Sequence, residues 1–342
     1  MGRRQKILAM QFKFLGDAVF VIPALRAIKE SQPDCVLHML TPREFAPMYQ
    51  HLPWLDRIWD MPRVRGRARL KQSWPIICAL RQERFDRSVD FAGNDRGAIM
   101  SLLGGARQRL GPFSPGSFSF RRFCYTQRVS ETELEAHWIR RHLQLLSAWD
   151  IPPPRSLAME IRSDPALDGS AAQLLPGKKI ICHLTSGQTK KNWPVAYWAE
   201  FCKMAAAAGH ELAFLTGRSP REQSHLASLK KLAPGVDVLP EIPDLAVLLA
   251  VMKRAKAFIA GDTGPLHCAA GLGVPVIGLF GITDTLCHTA PLYEPDQKLL
   301  GHPCECPGGM DECINARPCM AGISPADVMH RLQNILTPAH KS

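Results

Sequence analysis

The sequence predicts an α/β protein built from two doubly wound parallel sheets, one in each half of the chain, facing each other across a cleft. Three observations lead there. Short apolar runs without helical spacing alternate with longer amphipathic stretches through residues 6–105, and the same alternation returns through residues 180–280. That is the pattern of buried parallel strands joined by crossover helices. Between the two series lies "DIPPPRSLAMEIRSDPALDGSAAQLLPGKK", residues 150–179, rich in proline and small residues. It reads as an interdomain linker. A chain of 342 residues is long enough for two cores of ordinary size, so the domains are expected at 1–165 and 172–342.

The elements follow in order. "KILAMQF" is expected as a strand, "LGDAVFVIPALRAIKESQP" as a loop leading into a helix, and "CVLHMLT" as the next strand. "RIWDMP" and "FDRSVDF" read as strands, Trp74 to Arg84 and "NDRGAIMSLLGG" as helices, and Glu133 to Trp149 as the last helix of the first half. In the second half "IICHLTSG" and "ELAFLTG" read as strands with their loops, while "VAYWAEFCKMAAAAG", "PREQSHLASLKKLA" and "DLAVLLAVMKRA" read as helices. Ala257–Ala260 and Val274–Phe280 are two further strands enclosing a short helix. Pro265 suits the first turn of that helix, Asp262 or Thr263 its cap, and Gly273 its end. A final helix at about 325–336 is placed on neither domain by pattern alone.

Four segments carry candidate chemistry, each with a plainer reading beside it. In "GDTGPLHCAAG" the amides after Asp262, at Thr263 and Gly264, open a helix of small residues that suits a phosphate or pyrophosphate, since a helix N-terminus favours negative charge; a tightly packed crossover helix is the plain alternative. In "KFLGDAVFVIPAL" Asp17 stands where a strand gives way to a helix and is either a general base or a helix cap. In "TSGQTKKNWP" Thr185, Ser186 and Lys191 suit a phosphate leaving group or form an ordinary polar loop. The run "RVRGRARLK" holds Arg63, Arg65, Arg67, Arg69 and Lys71. It is either a solvated loop or a surface for phosphates and carboxylates.

Charge favours the second reading of that run. Residues 1–150 hold 24 Lys/Arg against 14 Asp/Glu, and residues 151–342 hold 18 against 17, so the first half is the one that faces an acidic partner. The chain lacks both G-x-G-x-x-G and Walker A sequences, which argues against a dinucleotide-binding or P-loop enzyme. Its N-terminus is a poor secretion signal and no segment reaches the roughly 20 apolar residues of a membrane span. Together with eleven cysteines, this leads to the expectation of a cytoplasmic protein with reduced thiols. Cys304, Cys306, Cys313 and Cys319 lie within sixteen residues, but their C-x-C-x6-C-x5-C spacing fits no common zinc site, so free thiols are expected ahead of a metal.

Taken together, "FLGDAVFVIPALRAIK", "TSGQTKKNWPVAYWAEF", "GRSPRE" and "GDTGPLHCAAGLGVPVIGLFGITD", in that order, make the sequence resemble glycosyltransferase family 9, the heptosyltransferases of the lipopolysaccharide inner core. "CMAGISPADV" is similar to the family's usual ending. The resemblance implies a GT-B architecture of two Rossmann-like domains, with the acceptor on the first and a nucleotide sugar on the second. It implies Asp17 as catalytic base, Lys191, Thr185 and Ser186 at the donor phosphates, Glu222 at the ribose, and Asp262, Thr263, Gly264 and His267 at the pyrophosphate and sugar. Lys13, standing where arginine is common, joins Arg63, Arg65, Arg67, Arg69 and Lys71 as expected acceptor contacts. Gly271 and Ile282 depart from the family's alanine and proline.

The activity so implied is inverting transfer of a heptose from ADP-heptose to an anionic Kdo or heptose residue on lipid A, without a cofactor. The protein would work peripherally at the cytoplasmic face of the inner membrane, with no nucleic acid involved. Two rivals stand beside it. A nucleotide-sugar epimerase of the same fold would need no basic acceptor face, and a metal-containing nucleic-acid-binding protein would show a recognition motif.

Overall fold

A computed structural model describes residues 3–63, 70–115, 120–282, 298–303, 312–313 and 318–337. The chain forms two compact units, Met1–Arg162 and Ser163–Ser342.

The first unit runs β1 (Lys6–Met10), α1 (Leu15–Phe20), α2 (Ile22–Ser31), β2 (Val36–Pro42), β3 (Arg57–Met61), α3 (Leu70–Glu83), β4 (Arg87–Asp90), α4 (Asp95–Leu103), β5 (Gln108–Phe113), α5 (Arg121–Cys124), β6 (Gln127–Ser130) and α6 (Trp138–Leu146). Its six strands are all parallel, in the order β3-β2-β1-β4-β5-β6. Strand order reverses beside β1. In such a sheet the loops that leave the two strands at the reversal splay apart and open a crevice, so the connections after β1 and β4 are where a ligand belongs.

β5 and β6 are absent from the sequence reading. "QRLGPF" and "QRVS" are polar at their starts, and Gly111 and Pro112 interrupt the first, so no apolar run marks them. The glycine has a packing reason: a Cβ at Gly111 would lie 2.3 Å from the ring of Tyr125.

The second unit holds α7 (Asp168–Leu174), β7 (Ile180–His183), α8 (Val195–Ala207), β8 (Leu212–Leu215), α9 (Pro220–Leu232), α10 (Leu245–Lys253), β9 (Ala257–Gly261), α11 (Gly264–Gly271), β10 (Val276–Ile282), β11 (Lys298–Pro303) and α12 (Pro325–Leu336). Its parallel order is β11-β10-β9-β7-β8. The reversal here falls at β7, between β9 and β8. α7 corrects the expectation of a bare linker: Ala171 and Leu175 are buried and the helix packs on α10, so the segment belongs to the second core. Its proline and small residues concealed a helix of only seven residues.

α12 packs on α8. Ser324 and Asp327 form a capping box that starts it, and Val328, Met329 and Leu332 enter the core with Cys319, Met320 and Ile323. Trp193 anchors this C-terminal segment, donating from Nε1 to the Ile323 carbonyl at 2.9 Å and meeting Trp198 edge-to-face at 4.9 Å. Burial of a ring that size is worth about 2–3 kcal/mol.

Candidate functional site

In the first unit, the β1 connection turns on Gln11. This fully buried side chain accepts from the amides of Phe12 and Lys13 at 3.0 and 3.2 Å and bends the chain out of the strand. α1 then begins, and Asp17, at its third position, accepts from the Phe14 amide at 3.1 Å. Asp17 is therefore a cap, as the plain reading had it. It is also 9% exposed at the crevice edge of the sheet, where a carboxylate can meet a ligand hydroxyl.

Lys13 lies with its ammonium 4.4 Å from the centroid of the Trp138 ring. Burial pushes its pKa down, and the charge of Asp17 works the other way.

The second crevice loop, after β4, holds a group that sequence reasoning missed. The Asp90 carboxylate is fully buried and accepts from the Tyr125 hydroxyl at 2.6 Å and from the amides of Ala92 and Gly93 at 2.9 and 3.3 Å. Burial pushes its pKa up to about 6, against those hydrogen bonds. A Cβ at Gly97 would lie 2.2 Å from either Asp90 oxygen, so α4 can approach only as glycine. The only local signal is a carboxylate closing an apolar strand, and its partner lies 35 residues on.

The basic run is only partly placed. Arg63 pairs with Glu44 at 3.5 Å and lies over the rings of Phe14 and Phe45. Arg65, Arg67 and Arg69 lie outside the described residues, and Lys71 stands in the first turn of α3 with its side chain outside them.

In the second unit the connections after β7 and β9 meet. Lys191 closes a one-turn helix, Thr189–Lys191, and its ammonium lies 2.6 Å from Asp262 Oδ2. A Cβ at Gly261 would lie 2.8 Å from the Lys191 carbonyl. The glycine that ends β9 is thus what lets the lysine loop lie against it.

His267, one turn into α11, donates from Nε2 towards Asp262 Oδ1 at 3.3 Å. Burial alone would raise the Asp262 pKa, but the His267 hydrogen bond and the charge of Lys191 outweigh it and hold the carboxyl well below its usual range. Thr263 caps α11, its hydroxyl accepting from the Leu266 amide at 3.4 Å, and Gly264 and Pro265 fill the first turn. Gly273, at φ +73°, follows the end of the helix.

Thr185 and Ser186 are both buried. Ser186 donates its hydroxyl to the Gln188 carbonyl at 2.6 Å and its amide to Asn192 at 2.7 Å, so in this structure it shapes the loop. Arg221, from "GRSPRE", clamps the same loop by donating to the carbonyls of Ser186 and Gly187 at 2.7 and 2.9 Å. Glu222 folds back in a capping box, accepting from the Ser219 hydroxyl at 2.6 Å and the Gly217 amide at 3.1 Å. Burial would raise its pKa, but the Ser219 hydrogen bonds prevail and lower it.

Among the described residues no group of three or more His, Cys, Asp or Glu side chains is placed to hold a metal ion. Cys304 and Cys306 lie outside them, Cys313 is half-buried and Cys319 is buried. Among the same residues no helix is long and apolar enough to cross a membrane.

Two parallel α/β units, each with a polar loop pair at its switch point and the second with an anion-ready helix N-terminus, make the GT-B fold. A profile of glycosyltransferase family 9 (heptosyltransferase) matches residues 74–311, more than two-thirds of the chain, and the chain belongs to that family. It is 26% identical over 295 residues to lipopolysaccharide heptosyltransferase 1 of Pseudomonas aeruginosa, across 82% of this chain and 79% of that protein. The glycosyl transferase family 9 structure from Veillonella parvula superposes with a TM-score of 0.81 at 16% identity, covering 98% of both chains. The structure of Escherichia coli ADP-heptose lipopolysaccharide heptosyltransferase II superposes with a TM-score of 0.75 at 18% identity, covering 97% of this chain and 98% of that one.

Proposed function

We propose that the enzyme transfers a heptose, with inversion, from ADP-heptose to an anionic saccharide of the lipopolysaccharide inner core, a Kdo or heptose residue on lipid A. The observation that carries this reading is the ion pair of Lys191 and Asp262 just before the Thr263 cap of α11. It assembles a cation, a helix N-terminus and a sugar-binding carboxylate, the three groups a nucleotide diphosphate sugar calls for.

Asp17 takes the proton from the acceptor hydroxyl. The freed oxygen attacks the anomeric carbon from the face opposite the nucleotide, and the C–O bond to the diphosphate breaks with inversion. As charge gathers on the departing ADP, Lys191 and the amides at Thr263 and Gly264 stabilise it. Glu222 hydrogen-bonds the ribose, and Asp262 and His267 orient the sugar. None of these steps calls for a metal ion. Lys13 and the run from Arg63 to Lys71 receive the acidic groups of the acceptor, at the cytoplasmic surface of the inner membrane.

Release of ADP from ADP-heptose, measured with and without a Kdo-lipid A acceptor, tests the reading. Acceptor-dependent ADP release supports it. Conversion of the nucleotide sugar to an epimer without an acceptor would overturn it.

A further inference from the structure

Arg221 and His225 stand one turn apart on α9 and so share a face of that helix. The Arg221 guanidinium clamps the start of the loop after β7 through the Ser186 and Gly187 carbonyls. His225 reaches the end of the same loop. Its Nε2 lies 3.3 Å from Asn192 Nδ2, and its Nδ1 lies 3.0 Å from the Arg221 carbonyl. Asn192 in turn closes the loop on itself, its Oδ1 accepting from the amide of Ser186 at 2.7 Å and from the Ser186 hydroxyl at 3.1 Å.

Two backbone groups, one at each end of this chain of contacts, fix every proton between them. The Ser186 amide can only donate, so Asn192 turns its oxygen towards Ser186 and its NH2 group towards His225. An amide NH2 can only donate, so His225 Nε2 must accept. At the far end the Arg221 carbonyl can only accept, so Nδ1 carries the ring proton. Both ends therefore call for one species, the neutral imidazole protonated at Nδ1. The other tautomer would set an N–H against the Asn192 NH2 group and a bare nitrogen against a carbonyl. Turning the Asn192 amide over would relieve the first conflict only by setting its NH2 group against the Ser186 amide.

We infer that His225 is a positioning residue for the nucleotide-sugar donor: locked as the Nδ1–H tautomer, it orients Asn192 and so holds the Ser186 end of the loop in the shape that receives the diphosphate. The inference rests on the donor role proposed above for Thr185, Ser186 and Lys191. In that scheme His225 touches no reacting atom. Its loss should act on donor affinity rather than on the chemical step, because Lys191 keeps its separate contact with Asp262.

The test uses the full chain. Long-range proton–nitrogen spectra of protein labelled with 15N at histidine, in mildly alkaline buffer, should show His225 with a protonated Nδ1 and a bare Nε2, the signal being assigned by its disappearance in His225→Gln. Asn192→Asp replaces the NH2 group with an acceptor and should bring a proton to Nε2. In kinetics, His225→Leu should raise KM for ADP-heptose about ten-fold, as for the loss of one hydrogen bond, with kcat within about two-fold and the acceptor KM unmoved. His225→Gln, whose Oε1 can accept from Asn192, should recover most of the donor affinity, and equal melting temperatures show that both variants fold. A wild-type His225 protonated at Nε2 would overturn the inference, and so would an Nε2 that stays bare in Asn192→Asp. A normal donor KM in His225→Leu, beside full transfer by the wild type, overturns the positioning role and leaves the reaction standing. A wild type that releases no ADP from ADP-heptose overturns the proposed reaction, and the donor role of His225 falls with it.

Discussion

The Lys191 ammonium lies 2.6 Å from Asp262 across 71 residues of sequence, joining the two loops at the switch point of the second sheet. Lys191→Ala leaves a buried carboxylate held by its hydrogen bond from His267. Because Lys191 is one-fifth exposed, the expected loss of stability is roughly 2–4 kcal/mol, towards the low end for breaking a buried pair. Adding Asp262→Asn should restore much of that stability without restoring turnover. Denaturant titrations of the single and double variants, read beside ADP release, check this. Full turnover in Lys191→Ala would remove the lysine from the leaving-group role.

Asp17→Asn keeps an oxygen for the Phe14 amide, so α1 should remain capped. Fold and donor affinity are expected to persist while turnover drops by roughly 10²–10⁴-fold, as for other removed acid–base groups. If activity stays near normal, Asp17 is a cap and nothing more.

Gly217→Ala places a Cβ 2.5 Å from both Glu222 oxygens and must displace that carboxylate. With Glu222 at the ribose, KM for the nucleotide sugar should rise about ten-fold with kcat nearly unchanged, equivalent to about 1.4 kcal/mol of binding. Glu222→Ala should match it. A donor KM that moves in neither variant counts against the ribose role.

Changing Arg65, Arg67 and Arg69 to Ala should raise KM for the acceptor and flatten its salt dependence while leaving the donor KM alone. The excess of positive charge in residues 1–150 motivates this. Unaltered kinetics on both a detergent-free acceptor and lipid vesicles would leave the run as a solvated loop.

Stability should fall on acidification below the ordinary histidine range. Burial lowers the pKa of His142 to about 3 and of His183 to about 4. A group whose folded pKa is depressed contributes stability above its unfolded pKa, near 6.5, and loses it as pH falls towards the folded value. By pH 5 each should cost about 2 kcal/mol. Urea denaturation between pH 7 and pH 5 should therefore show a shallower decline in His142→Gln than in the wild type. Asp90 works in the opposite sense, its burial costing stability as pH rises from about 4 to 6, so Asp90→Asn should steepen the acid decline.

The sequence by itself determined the alternation of strands and helices, the two-unit layout and the helix opened by Asp262, Thr263, Gly264 and Pro265. Those signals are local: apolar periodicity, a proline at a first turn and a glycine after a last one act within about one turn of helix or one strand. Tertiary structure alone decided which loops meet. Strand order set β7 beside β9 and so brought Lys191 to Asp262, and it set β4 beside β1 and so brought the Asp90 loop next to Asp17. The reach of Tyr125 to Asp90 and the folding back of Glu222 onto Gly217 depend on space cleared by Gly111, Gly97 and Gly217. A missing Cβ has meaning only once its neighbours are known. β5 and β6 escaped the sequence pattern because their polar starts, and in β5 also Gly111 and Pro112, leave no apolar run, and α7 because seven residues are too few for a period to show.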